Sequence, residues 1–145
     1  MSAYESLQDK LGYHFSNMSL LGEAFLAAGA SVSRSDIEGP VQGNKRLALV
    51  GDAVLRLCIL DDWYPKGTDT ESGDNLVQDI GTNEKLRTVA KEWNLTDLLK
   101  ENPCQQGEKT TTTLASTVEA VIGAVWLDSQ KNLGAVKHLI KRFQS

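Results

Sequence analysis

"NKRLALVGDAVLRLCIL" spans Asn44 to Leu60 and holds one carboxylate, Asp52, in an otherwise apolar, helix-like run. Leu47, Leu49, Val50, Val54, Leu55, Leu57, Ile59 and Leu60 surround it. Taking an unpaired ionised acid out of water is expensive, so Asp52 requires either a partner or a task. The same run is expected to continue as a helix to Tyr64 and to stop at Pro65, which lacks the N–H a helix needs.

A second stretch, "LASTVEAVIGAVWL", poses the same problem. Glu119 is its only charge between Leu114 and Leu127. Both segments are apolar nearly all round, the pattern of buried central helices rather than amphipathic surface ones. Two readings stay open. In one, Asp52 bonds a backbone group and Glu119 pairs with a distant Arg or Lys. In the other, the two acids face each other, as carboxylates do in helical bundles that hold divalent metals.

Working outward, the dominant period is helical throughout. Tyr4 to Gly12 reads as a first helix, and Ser19 as the cap of a second that stops near Gly29. "SVSRSDIEGPVQG" (Ser31 to Gly43) is the clearest loop. After Pro65, "KGTDTESG" reads as another loop, followed by one helix from Asp74 to Trp93. Thr96 caps a short helix over "NLTDLLK", and "ENPCQQGEK" is loop. Thr113 or a neighbour caps the helix from Leu114 to Asp128, and a last helix runs from Leu133 to Phe143. No strand pattern, repeat or second domain emerges. The expectation is an all-α single domain over residues 1–145.

Composition bounds the function. The chain carries 41% apolar and 23% charged residues with a net charge of −4. Proteins that grip nucleic acid by its backbone carry a basic footprint, and the chain as a whole has none. Basic residues gather only locally, as Lys45, Arg46 and Arg56 and as Lys137, Lys141 and Arg142; the last trio suits an ordinary solvated helix face. The two cysteines, Cys58 and Cys104, make no disulfide framework and suit a reducing compartment. The polar start, MSAYESLQDK, has no apolar signal core, and no run approaches a membrane span. A cytoplasmic location is expected, with mitochondrion and nucleus also open.

"NKRLALVGDAVLRL" resembles the signature helix of the ribonuclease III family, N-E-R-L-E-F-L-G-D-[SA]-V-L. "LGYHFSNMSLLGEAF" is similar to the family's opening. "TNEKLRTVAKEWNLTDLL" is similar to its S-N-x-x-L-A-x-I-A segment, and "LASTVEAVIGAVWLD" to its L-A-D-x-x-E-A-L-I-G-A-I-Y-L-D segment. Four blocks in order cover nearly the whole chain. The resemblance implies an all-helical nuclease-type domain, a homodimer, and a magnesium site for cutting double-stranded RNA. Its four carboxylates come in pairs from two facing helices, because residues three or four apart share a helix face. Magnesium suits such a site because it takes oxygen ligands, activates water and stabilises charge on phosphate.

Carried over by position, the acids are expected at 48, 52, 116 and 119. This chain has Ala48, Asp52, Ser116 and Glu119, and Lys45 stands where the family has a further glutamate. Ala48 offers no ligand atom, and the Ser116 hydroxyl is a poor ligand for a hard cation. At an effective dielectric near 20, a unit charge about 4 Å away is worth about 4 kcal/mol. A magnesium or manganese ion is therefore expected to bind weakly or not at all. Asp61 and Asp62 lie roughly 14 Å farther along the helix and cannot replace the missing acids; Asp128 is similarly far from Glu119. The leading expectation is an inactive homodimer acting in RNA binding, RNA processing or scaffolding, with weak affinity for double-stranded RNA. Alternatives are a divergent endonuclease using Asp52, Glu119 and Ser116 through water, and a structural ribonucleoprotein component. In the family, the residue at Leu49 packs into the partner subunit.

Overall fold

The computed structural model describes residues 3–26, 42–95, 98 and 111–144. Its seven helices are α1 (Ala3–Leu11), α2 (Met18–Ala24), α3 (Lys45–Trp63), α4 (Thr70–Gly81), α5 (Asn83–Glu92), α6 (Thr111–Asp128) and α7 (Leu133–Gln144). No strand occurs among them, so the all-α expectation holds. None of the described helices is long and apolar enough to cross a membrane.

The apolar composition of α6 makes it the centre of the bundle. Ala115, Val118, Val121, Ile122, Ala124 and Val125 are all buried, and α2, α3, α5 and α7 pack around them. A helix apolar on every side needs a neighbour on every side, and here it has one. α3 behaves differently. Leu47, Val54, Leu55, Cys58 and Ile59 face the core, whereas Leu49, Leu57, Leu60 and Tyr64 are exposed. Its uniform composition therefore conceals an uncovered side.

Asn44 ties three helices together. Its buried Nδ2 donates to the Ala24 carbonyl at 2.8 Å and to Thr117 Oγ1 at 3.3 Å. Its backbone N–H donates to Leu26 O at 2.7 Å. The side chain is thus used for tertiary linkage and makes no cap on α3. The helix then runs to Trp63 and gives way at Tyr64, just before Pro65.

Several element boundaries differ from the sequence expectation, and the second helix ends at Ala24, capped by Phe25, rather than near Gly29. The second helix starts at Met18, capped by Asn17, whose Oδ1 accepts from Ser19 N–H at 3.0 Å. The expected helix over 74–93 is two helices. Asp69 caps the first, accepting from Ser72 N–H at 2.7 Å, so half of the expected "KGTDTESG" loop is helical. Thr82 is extended (φ −66°, ψ 148°), and its hydroxyl accepts from Lys85 N–H, starting α5. α6 begins at Thr111, which places Thr113 inside it. The short helix expected at Thr96, most of the 31–43 loop and Cys104 lie outside the described residues.

Candidate functional site

The crossing of α3 and α6 positions the site. A Cβ at Gly51 would fall 1.6 Å from the carbonyl oxygen of Glu119, and one at Gly123 would fall 2.3 Å from that of Leu47. Only glycine lets the two backbones approach this closely. Gly51 immediately precedes Asp52, and Gly123 lies one turn after Glu119. The tight crossing therefore delivers the two acids to one another. The sequence reading missed these glycines, although an isolated glycine inside an apolar helix is a known mark of close packing.

The side chains of Asp52 and Glu119 interact at this crossing. Burial raises the Glu119 pKa most, and the bond and charge of Asp52 raise it further. Arg56 opposes the shift, and the result is about 8. Arg56, one turn along α3, pairs with Asp52 with Nε 3.6 Å from Oδ2. Neither open reading of the acids describes this arrangement completely. The acids do meet, as the metal-site reading requires, but a guanidinium at the i+4 position also accompanies Asp52. With its side chain 44% exposed, Asp52 sits at the edge of the core rather than within it.

The other family positions hold no acid. Ala48 is buried one turn before Asp52, and Ser116 is half-buried one turn before Glu119. Lys45 is exposed. No group of three or more His, Cys, Asp or Glu residues comes together among the described residues. The described donor set therefore does not fit the family's four-acid magnesium site. Asp61 and Asp62 are engaged elsewhere, both accepting from Lys137 Nζ. Asp128 accepts from Tyr13 Oη at 2.6 Å and from the amides of Ser16 and Asn17, fixing the turn after α1.

A cavity of about 460 Å³ opens beside Asp52, between α3 and α4. Asp52, Arg56, Asp74 and Gln78 supply its polar groups, and Leu55 and Val77 part of its apolar wall. Sequence reasoning singled out neither Asp74 nor Gln78, because their approach to Asp52 depends on how α4 packs against α3. The C-terminal basic trio has structural partners for two of its members. Lys137 holds Asp61 and Asp62, and Arg142 donates to the Lys10 carbonyl at 3.0 Å. His14 is exposed beside Asp9, and His138 is exposed on α7.

The acid pair makes stability depend on pH. The folded pKa of Glu119 lies above its unfolded value near 4.5. Its contribution is therefore complete below about pH 4.5 and is lost as pH rises through about 8. Glu119→Gln is expected to flatten the melting-temperature profile across this window. It should be more stable than the native chain above pH 8, by about 1 kcal/mol once partial exposure is allowed for. Thermal melts from pH 4.5 to 9 check this, and parallel profiles for the two proteins would contradict it.

A family profile described as Ribonuclease-III-like matches residues 32–143. Ribonuclease 3 of Vibrio campbellii (strain ATCC BAA-1116) is 30% identical over 144 residues, covering 96% of this chain and 59% of its own length. That of Vibrio parahaemolyticus serotype O3:K6 (strain RIMD 2210633) is 31% identical over 133 residues, 88% of this chain and 55% of its own. The chain thus spans little more than half the length of these relatives. A structure of the ribonuclease III nuclease domain from Campylobacter jejuni, described for flexibility in a region involved in dimer formation, superposes with a TM-score of 0.81. It is 23% identical and covers 96% of this chain and 94% of that one. A 2.2 Å crystal structure of the same domain gives 0.78, at 22% identity, over 99% and 94%.

Proposed function

This chain belongs to the ribonuclease III-like family, and on that premise we propose that it is a non-cleaving member that binds or scaffolds RNA as a homodimer. The observation that carries this reading is the acid pair itself. The α3–α6 crossing brings Asp52 and Glu119 together, Arg56 stands 3.6 Å from Asp52, and no third acid joins them among the described residues. A divalent ion entering here must displace a proton and compete with a guanidinium, with two carboxylates rather than four to hold it. Magnesium or manganese is accordingly a weak ligand at best.

The test is incubation of long duplex RNA with the purified chain and either ion, alongside Asp52→Asn. No cleavage by either protein is expected. Cleavage by the native chain that Asp52→Asn abolishes would establish the divergent-endonuclease reading instead. Weak binding follows from charge. Two copies at −4 make a dimer of −8, so long-range attraction to phosphates is absent and local basic groups alone must hold RNA.

The homodimer reading is supported by the uncovered side of α3. Leu49, Ala53, Leu57, Leu60 and Tyr64 recur every three or four residues and are all exposed. Together they form one apolar stripe along the helix. Leu49 is 75% exposed, and a second copy of α3 would cover it. Leu49→Glu is expected to convert the dimer to monomer, with little loss of helix because the site is solvent-facing in one subunit. Light scattering checks this. A native chain that is monomeric at tens of micromolar, or a Leu49→Glu variant that remains dimeric, would overturn it.

A further inference from the structure

A second cavity, of about 290 Å³, lies on the opposite flank of α4 from Asp52. Its volume is near the lower end of the roughly 300–1,000 Å³ usual for small-molecule sites. Cys58 and Ile59 of α3, Ile80 of α4 and Ile140 of α7 line it, and all four are buried. The Trp63 ring and Leu76 complete the wall. Trp63 Nε1 already donates to Ser72 Oγ at 3.0 Å, leaving the ring as apolar surface.

The polar groups at this cavity are charged. Lys66, Lys137, Lys141 and Asp62 line it, and Asp61 is joined to them through Lys137. Lys137 is occupied by Asp61 and Asp62. Lys66 and Lys141 are exposed and lie within electrostatic reach of Asp62, whose pKa they help to lower. Three cations against two carboxylates leave one net positive charge beside an apolar pocket, on a chain whose net charge is −4.

We propose that this cavity between the C-terminal half of α3, α4 and α7 binds a small amphipathic monocarboxylate, with its apolar tail inward and its carboxylate at Lys66 and Lys141. One negative charge matches the local excess. A second negative charge is opposed by Asp62, which lines the same cavity, and an ammonium group is repelled by Lys66 and Lys141. The tail displaces water from isoleucine and indole surface, which supplies the affinity.

The test is calorimetric titration of the full chain with octanoate, octylammonium and octyl phosphate at fixed salt, with helicity followed by circular dichroism. Octanoate is expected to bind, octylammonium not to bind, and octyl phosphate to bind no better than octanoate. Lys66→Gln with Lys141→Gln is expected to weaken octanoate about tenfold, the scale two exposed charge contacts reach together. Leu76→Trp, which fills the mouth from a partly exposed position, should abolish binding. Cys58 locates the ligand: in a Cys104→Ser chain, octanoate should slow thiol modification at Cys58. The proposal fails if octanoate does not bind, if octylammonium binds equally, if octyl phosphate binds more tightly, or if Leu76→Trp leaves binding unchanged.

Discussion

Gly51→Ala is expected to cost about 3 kcal/mol or more, a large share of the roughly 5–15 kcal/mol that holds a domain folded. In an open helix the same change stabilises by about 1 kcal/mol, because alanine is the better helix former. The sign reverses here because the new methyl would lie 1.6 Å from a backbone oxygen of α6. A side chain in the way could rotate; the Glu119 carbonyl belongs to a buried helix and cannot. α3 and α6 would have to separate along the most extensive contact in the molecule. Gly123→Ala should act similarly from the other helix, since its methyl would meet Leu47 O at 2.3 Å. Gly22→Ala is the control, with nothing within 4 Å of the added carbon, and is expected to be neutral or mildly stabilising. Denaturant melts of the three variants give the ordering. Any folded Gly51→Ala protein should also lose the pH dependence assigned to Glu119, because separation of the helices breaks its bond to Asp52. A Gly51→Ala protein as stable as Gly22→Ala would refute the close crossing.

The parts of this site legible in the sequence were those that composition exposes. A lone acid in each of two apolar helices was enough to single out Asp52 and Glu119, and the motif spacing placed Ala48 and Ser116 beside them. Periodicity could not reveal what covers each face. α3 and α6 have similar apolar content, yet α6 is enclosed while α3 leaves Leu49, Leu57, Leu60 and Tyr64 in solvent. That distinction lies in the arrangement of neighbours, which no single helix encodes. Arg56 was legible in principle, since it stands four residues after Asp52 on the same face. The break at Thr82 was masked by the helical spacing of Leu76, Ile80 and Leu86, although Gly81 followed by a capping Thr is a sound local signal. Asp74 and Gln78 line the cavity beside Asp52 because of how α4 packs against α3, which the pattern within α4 does not encode.

Ala48→Glu with Ser116→Asp, and Lys45→Glu beside them, is expected to create a magnesium dependence that the native chain lacks. Position 48 lies one turn before Asp52, and position 116 one turn before Glu119, so all four carboxylates share the two facing helix surfaces. Asp52 and Glu119 already interact at the α3–α6 crossing, which sets the point on which the added acids converge. Without metal the repaired chain should be less stable than the native one. Ala48 is buried, so its replacement places a new carboxylate in poor solvent beside others of like charge. Magnesium offsets that repulsion only in the folded state. At about one hundred times its dissociation constant it should restore about 2.7 kcal/mol, seen as a rise in melting temperature that the native chain does not show. The dependence should be steepest below about pH 8, where metal must displace the proton held by Glu119. Duplex cleavage is a separate readout, because it also requires a grip on RNA that a −4 chain does not obviously supply. Equal magnesium shifts in native and repaired proteins would mean that the native pair already holds the ion. No shift in either, with the repaired chain folded, would mean that positions 48 and 116 do not converge with Asp52 and Glu119.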